Sequence, residues 1–156
     1  MADPGPSNAT VLAVLPEAED RMALTGILRR PGWKLRAAGT FGKARLLLNR
    51  SSIGVVISER AFPDGRGWRD LLGVIQGMPD PPPLIVADRL ADERLWAEVL
   101  NLGGYDLLPK PFAAKEVLHA VSAACRWRES RHRPVAAPLE TRGRRGTPAA
   151  MIRPAC

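Results

Sequence analysis

Short apolar runs alternate with amphipathic stretches from about residue 9 to residue 127. The first run, Thr10 to Leu15, is continuous and partly β-branched, as expected of a strand that is covered on both faces. Four further runs have the length and the bounding turn residues of strands, at 33–38, 53–58, 84–87 and 105–108. The pattern therefore predicts five strands, each followed by a helix.

The stretches between these runs carry apolar residues three and four positions apart, which is the spacing of a helix that buries one side. The helices are expected at about 16–30, 41–48, 68–75, 91–102 and 113–128. Glu17, Glu19 and Asp20 favour the positive N-terminus of the first helix, and Thr40 can cap the second. Such β/α units predict an α/β fold with an open, doubly wound parallel sheet, in which functional side chains lie at the carboxyl ends of the strands.

The net charge of +7 is concentrated at the end of the chain, because residues 126–156 hold eight arginines against Glu129 and Glu140. Residues 129–156 are rich in proline, glycine and alanine and show no helical or strand period, so they are predicted to be a basic disordered tail. Residues 1–8 are also expected to be disordered, which leaves 9–128 as one folded domain. The tail is interpreted as a solvated segment, with nucleic-acid binding as the alternative.

No apolar run reaches the roughly 20 residues that a membrane span needs, and the first residues lack the basic and apolar regions of a secretory signal. The chain is therefore expected to be cytoplasmic. Cys125 and Cys156 have neither metal-ligand nor disulfide spacing. Cys125 is expected to be a small buried apolar residue, and Cys156 a free thiol.

No enzyme motif suits this architecture. The loop after the first strand begins Leu15-Pro16-Glu17 and lacks the glycine-rich pattern that cradles phosphates. The only histidines, His119 and His132, fall in the last predicted helix and in the tail, without a nucleophile beside them. The expectation is a domain that is not an enzyme, with no catalytic residue, no cofactor and no metal.

Three passages together resemble the response-regulator receiver family of two-component phosphorelay signalling. They are VVISERAFPDGRGW around the end of the third strand, LIVAD at the fourth strand and GGYDLLPKPF at the fifth. The likeness covers nearly all of residues 9–127. It implies a (βα)5 flavodoxin-like receiver fold with strand order 2-1-3-4-5.

Receivers of this family hold Mg²⁺ through an acidic pair after the first strand and an acceptor aspartate, and a lysine binds a phosphoryl oxygen. At the positions of the acidic pair this chain carries Leu15 and Pro16, with an acid only at the next position, Glu17. The acceptor position, four residues before Pro63, is Glu59. Its extra methylene gives its oxygens the wrong geometry for attack. The resemblance therefore implies a degenerate receiver, or pseudo-receiver, that is not phosphorylated.

The position that usually carries a hydroxyl after the fourth strand is Asp88, which would repel an aspartyl phosphate. Lys110 matches the family lysine and could pair with Glu59, with Asp88 or with both. The hypothesis is a permanent ion network that stands in for the phosphorylated state. The alternative is that the three residues are ordinary charged residues at the ends of strands.

The fifth strand and the turn after it carry two further family positions. The Lys110–Pro111 bond is a candidate cis peptide, although the sequence does not decide the isomer. The aromatic switch position falls on Leu107, and Tyr105, two residues earlier, is expected to point to the same side of the strand. Loss of the hydroxyl and of the aromatic partner favours a fixed surface over a phosphorylation-coupled switch.

The fourth helix carries two neighbouring apolar stripes. One contains Leu95, Val99 and Leu102, and the other contains Trp96 and Leu100. One face of a sheet cannot easily bury both, so Leu95, Trp96 and Val99 are predicted to mark a partner or dimer surface. The alternative is a wide core stripe on a well-covered helix.

The sequence thus predicts a receiver-like domain that acts by protein–protein interaction. The expected partner is another signalling protein, such as a histidine kinase, a regulator or an effector, or a second copy of the chain. Two alternatives remain open. One is binding of metal or phosphate through Glu17, Glu59 and Asp88, and the other is a nucleic-acid-associated adaptor that uses the arginine-rich tail.

Overall fold

The computed structural model describes residues 9–29 and 31–132. The predicted disordered segment 1–8, and the predicted tail from residue 133 onward with Cys156, lie outside the described residues.

Five parallel strands form one sheet in the order β2-β1-β3-β4-β5. The strands are β1 (Thr10–Val14), β2 (Lys34–Ala38), β3 (Val55–Glu59), β4 (Leu84–Asp88) and β5 (Asp106–Pro109). This arrangement confirms the predicted doubly wound α/β fold and its strand order. Because all strands run in one direction, their carboxyl ends meet at a single edge.

Five helices cover the two faces of the sheet. They are α1 (Ala18–Arg29), α2 (Phe41–Arg50), α3 (Trp68–Gln76), α4 (Glu93–Leu102) and α5 (Ala114–His132). Thr40 caps α2, as predicted, by accepting a hydrogen bond from the main-chain N–H of Lys43.

Helix α5 continues past Arg128 as far as His132, the last described residue, so residues 129–132, which the sequence assigned to the tail, belong to the helix. Two contacts hold this end of the helix against the segment before β4. Arg128 Nη2 donates to Asp80 Oδ2 at 2.8 Å, and Arg131 Nη2 donates to the carbonyl of Pro81 at 2.7 Å. A polar sequence is thus kept helical by partners that are distant in the chain.

The core has one layer on each face of the sheet. Along β1, Leu12 and Val14 pack with α2, α3 and α4, whereas Val11 and Ala13 pack with α1 and α5. All four side chains are fully buried, since a parallel strand between helices has no solvated face. Cys125 is buried in the second layer, as predicted, and burial raises the pKa of its thiol to about 11, with a smaller contribution from Glu129.

Local signals set both ends of α4. Asp92 Oδ1 accepts a hydrogen bond from the main-chain N–H of Leu95 at 2.9 Å. At the other end, Gly103 has a φ of +109°, in the left-handed region that favours glycine. A Cβ on the next residue, Gly104, would lie 2.5 Å from Val99 Cγ1. The two glycines therefore let the chain turn tightly from α4 into β5.

None of the described helices has both the length and the apolar character needed to cross a membrane.

Candidate functional site at the carboxyl edge

Charged side chains gather at the carboxyl edge of the sheet. Glu59 is the last residue of β3, Asp88 is the last residue of β4, and Lys110 follows β5. The parallel register brings these strand ends side by side, because Glu59 lies opposite Ala87 and Asp88 lies opposite Pro109. The fold therefore places these three site residues at one edge.

Lys110 occupies the centre of this edge and bonds two carboxylates at once. Its Nζ donates to Asp20 Oδ2 at 2.8 Å and to Glu59 Oε1 at 2.6 Å. The lysine side chain is only 2% exposed. We call this three-residue arrangement the Asp20–Lys110–Glu59 bridge.

The charge of Lys110 is stabilised despite its burial. Burial by itself lowers the pKa of the ammonium group. The hydrogen bonds from Lys110 to Asp20 and Glu59, together with the negative charges of these carboxylates, raise the pKa by more than burial lowers it. The net result is a pKa above the usual lysine value of 10.5. Lys110 is therefore a fixed cation at neutral pH.

Asp20 is a site residue that sequence reasoning missed. The sequence analysis assigned it to the N-terminus of α1 as a favourable charge, whereas the structure turns it inward and buries it. A signal was present, because Asp20 lies four and eight residues before Leu24 and Leu28, which the apolar pattern identifies as the buried stripe. An acid in register with a buried stripe must find a partner, and here that partner is Lys110.

The positions of the acidic pair place no carboxylate in the site. Leu15 is fully buried within the α1–α5 layer, and Glu17 is exposed. The carbonyls of Leu15 and Pro16 both accept hydrogen bonds from Arg21 Nη1, at 2.7 and 2.8 Å. A guanidinium thus covers the main chain between β1 and α1.

Asp88 is not part of the bridge, which corrects the prediction that its side chain could pair with Lys110. Its Oδ2 instead faces Arg60 Nη1 at 3.4 Å and accepts a hydrogen bond from the main-chain N–H of Leu90 at 3.3 Å. Asp88 meets Lys110 only through the main chain, where its carbonyl accepts from the lysine N–H at 3.1 Å. The carboxylate turns away because the loop after β4 supplies it with a donor two residues on.

The carboxylates of this edge are matched by cations. Arg89 Nη2 lies 4.0 Å from Asp20 Oδ1, in addition to the bridge and to the Arg60–Asp88 pair. Within residues 9–29 and 31–132, no group of three histidine, cysteine, aspartate or glutamate side chains is placed to hold a metal ion.

Strand β5 and the turn after it carry the family positions predicted at Leu107, Lys110 and Pro111. The Lys110–Pro111 peptide bond is cis. Leu107 packs against the layer of α2, α3 and α4, whereas Tyr105 packs against the layer of α1 and α5. The prediction that they share one side is wrong, because β5 begins at Asp106 and the alternation of a strand does not extend back to Tyr105.

The predicted partner surface on α4 also needs correction. Leu95 is 3% exposed and Val99 is fully buried, so both belong to the core. Trp96, in contrast, is 49% exposed, and Leu100 and Leu102 are partly exposed as well. Leu102, which the sequence placed in the same stripe as Leu95 and Val99, is exposed at the last residue of the helix. Trp96 and Leu100 form the adjacent stripe, since residues four apart lie on the same side of a helix. We call Trp96 and Leu100 the α4 patch.

Comparisons with known proteins agree with this architecture. No family model matches the chain. Among curated proteins, the chain is 26% identical over 103 residues to the transcriptional regulatory protein DpiA of Escherichia coli strain K12, a match that covers 65% of this chain and 44% of DpiA. The chain therefore spans less than half the length of this relative.

Solved receiver domains superpose closely on the chain. The Francisella response regulator 1452 receiver domain has a TM-score of 0.69 at 22% identity, over 77% of this chain and 98% of that domain. A CheY-like receiver domain from Methanospirillum hungatei JF-1 has a TM-score of 0.71 at 18% identity, over 80% and 99%. The receiver domain of an HD domain-containing protein from Pseudomonas fluorescens Pf-5 has a TM-score of 0.71 at 25% identity, over 81% and 93%. The chain has the receiver fold.

Proposed function

We propose that this chain is a signalling domain that does not take up a phosphoryl group and acts through contact with another protein. The observation that carries the proposal is the Asp20–Lys110–Glu59 bridge, in which the lysine bonds both carboxylates at once. We assign the domain no catalytic role.

Lys110 is not available to a phosphoryl group. In receivers that resemble this chain, the corresponding lysine binds a phosphoryl oxygen. Lys110 is buried, and both of its contacts are short and charge-assisted. To bind a phosphoryl oxygen it would have to leave Asp20 or Glu59, and a carboxylate without its partner in this setting is costly. The bridge therefore opposes the role that the resemblance gives to this lysine.

Glu59, at the acceptor position, is poorly placed to attack a phosphoryl group. A carboxylate that attacks phosphorus must present an oxygen in line with the leaving group, and small displacements reduce the rate strongly. Oε1 of Glu59 is held 2.6 Å from Lys110 Nζ, and the longer glutamate side chain already reaches past the strand end to do so. The geometry suits an ion pair better than nucleophilic attack.

The carboxyl edge does not suit Mg²⁺, which receivers that resemble this chain use to neutralise phosphoryl charge. Mg²⁺ needs oxygen ligands with near-octahedral geometry. This edge offers a buried leucine at position 15, main-chain carbonyls that are already bonded to Arg21, and carboxylates that face Lys110, Arg60 and Arg89. The residues do not fit the ion, and Lys110 supplies a positive charge in its place.

The proposed contact with a partner uses the α4 patch. Trp96 and Leu100 lie one helical turn apart, and both are exposed, at 49% and 37%. Exposed apolar side chains that adjoin one another mark interaction surfaces, and Trp is enriched among residues that dominate binding energy. The relative DpiA is a transcriptional regulatory protein. We therefore propose a protein of a regulatory pathway, or a second copy of this chain, as the partner.

The two alternative functions, binding of metal or phosphate and association with nucleic acid, gain no support at the carboxyl edge. Glu17 is exposed and Asp88 is paired with Arg60, so neither joins Glu59 in a common site. The nucleic-acid alternative depends on the tail, whose residues from 133 onward lie outside the described part of the chain, and it stays a prediction, as does the cytoplasmic location.

A calorimetric titration with Mg²⁺ tests the proposal. The native chain is expected to show no saturable binding in the millimolar range, because Lys110 already neutralises the carboxylates. Lys110→Met, which frees both acids while keeping a side chain of similar length, is expected to bind Mg²⁺ more tightly than the native chain. Circular dichroism at the titration temperature confirms that each variant is folded.

The matched control is Lys115→Met, which removes an exposed lysine from the first turn of α5 and should leave the titration unchanged. Saturable Mg²⁺ binding by the native chain that disappears in Glu59→Gln would overturn the proposal. Equal titrations of the native chain and Lys110→Met would show that the bridge does not exclude the metal.

A further inference from the structure

A cavity of about 420 Å³ opens at the amino edge of the sheet, on the opposite side of the molecule from Lys110. Its walls come from the C-terminal ends of α3 and α4, from α5 and from the segments that lead into β4 and β5, including Ile75, Pro83, Leu100, Tyr105 and Trp127. The volume falls within the range of about 300–1,000 Å³ that small-molecule sites occupy. Neither the fold nor the proposed signalling role accounts for this cavity.

Two aromatic rings form one wall of the cavity. The ring centroids of Tyr105 and Trp127 are 5.5 Å apart, and the ring planes are inclined by 47°. Trp127 remains 44% exposed although it lines the cavity, so part of its ring is free for another contact. Burial, followed by the charge of Asp106, raises the pKa of Tyr105, whose phenol is therefore uncharged at neutral pH.

The side chains of Gln76 and Arg131, which line the cavity, are already bonded to the main chain. Gln76 Nε2 donates to the carbonyl of Leu102 at 3.2 Å, and Arg131 Nη2 donates to the carbonyl of Pro81 at 2.7 Å. The Arg131 guanidinium also stacks 4.4 Å from the centre of the Trp127 ring. A charged ligand would have to compete with these contacts for its hydrogen bonds.

Opposite charges are balanced at the cavity. Helices α3 and α4 end there, and the carbonyls of helix C-termini create a negative potential, whereas Arg131 contributes a positive charge to the lining. We propose that the cavity binds a small, uncharged aromatic molecule that stacks on Tyr105 and Trp127. This proposal is independent of the phosphorylation state of the opposite edge.

A matched pair of dyes tests the predicted ligand chemistry with the full chain. Phenylnaphthylamine is neutral, and anilinonaphthalene sulfonate carries the same rings with a sulfonate. We expect phenylnaphthylamine to bind saturably with one site per chain and to fluoresce more strongly when bound. We expect the sulfonate to bind at least about tenfold more weakly, because Arg131 would have to give up its hydrogen bond to the Pro81 carbonyl in order to neutralise the sulfonate.

Two tryptophan variants locate the site. Trp127→Ala removes one wall of the cavity and should weaken phenylnaphthylamine binding about tenfold or more, since it removes both stacking and buried area. Trp96→Ala is the matched control, because Trp96 is exposed to a similar degree, 49% against 44%, but does not line the cavity. Binding to Trp96→Ala should match the native chain within about twofold.

Three results would overturn the proposal. One is equal binding of the two dyes, and another is loss of binding in Trp96→Ala but not in Trp127→Ala, which would place the dye on the α4 patch. The third is binding that appears only when size-exclusion chromatography shows a dimer, which would make the cavity part of an interface. If Trp127→Ala fails to fold, Tyr105→Leu, which removes the other aromatic ring of the lining and lies outside the α4 patch, provides the second test.

Discussion

Replacement of Lys110 with methionine is expected to lower the free energy of unfolding by about 3 kcal/mol, at the low end of the range for breaking a buried ion pair. The variant leaves Asp20 and Glu59 facing each other without a cation, and their side chains are only 11% and 17% exposed. Urea unfolding, followed by circular dichroism at neutral pH, measures the difference.

The control for this variant removes the carboxylate charges as well. The triple variant Asp20→Asn, Glu59→Gln, Lys110→Met should regain most of the lost stability, because no uncompensated charge is left. An unchanged stability of Lys110→Met alone would mean that the bridge contributes nothing to the folded state.

The difference in unfolding free energy between the native chain and Lys110→Met depends on pH. The pKa of Lys110 is higher in the folded state than its usual 10.5, so the stabilisation is fully present below the pKa of the unfolded chain. It is lost as the pH rises through the higher, folded-state pKa. As the pH rises from neutral, the stability difference between the native chain and Lys110→Met should therefore persist at first and shrink in strongly alkaline solution.

Replacement of Leu95 with alanine is expected to destabilise the domain by about 3 kcal/mol, the typical cost of removing a buried leucine side chain. Leu95 is 3% exposed and belongs to the core layer of α2, α3 and α4. Its main-chain N–H also completes the cap at Asp92, which the substitution leaves intact. The midpoint of urea unfolding should fall, with little change in the slope.

Trp96→Ala is the matched control on the next residue of the helix. Because Trp96 is about half exposed, its loss should cost less than about 1 kcal/mol. A larger loss of stability in Trp96→Ala than in Leu95→Ala would show that the two faces of α4 have been assigned the wrong way round.

The apolar pattern predicted the fold because it carries the information that a parallel sheet requires. The continuous apolar run from Thr10 to Leu15 predicts a strand that is covered on both faces. In the structure, Val11 to Leu15 are completely buried. The spacing of Phe41, Ala44 and Leu47 likewise identifies the inner side of α2. These signals are local, so a reading of consecutive residues can recover them.

The contacts of the site are not local in this sense. Lys110 lies 90 residues from Asp20 and 51 residues from Glu59. The positions of Glu59 and Lys110 at strand ends follow from the parallel topology, but the choice between Asp88 and Asp20 as the second partner depends on side-chain direction. Asp20 could have been found only by combining its charge with the helical register of Leu24 and Leu28.

The α4 patch and the cavity could not be located from the apolar pattern alone. The pattern indicated that α4 carries more apolar surface than one sheet face can bury, but it did not show which stripe is outside. The cavity depends on where α3 and α4 end and on how α5 lies against the segment before β4, which Arg128 and Arg131 contact. Helix ends are among the least predictable features of a sequence.

Intact-mass spectrometry after incubation with Mg²⁺ and acetyl phosphate tests the central claim most directly. An active receiver domain, treated in parallel, shows that the reagent transfers its phosphoryl group under the conditions used. For this chain the account predicts a single species of unchanged mass at every time point. A species heavier by one phosphoryl group that is absent in Glu59→Gln would contradict the account.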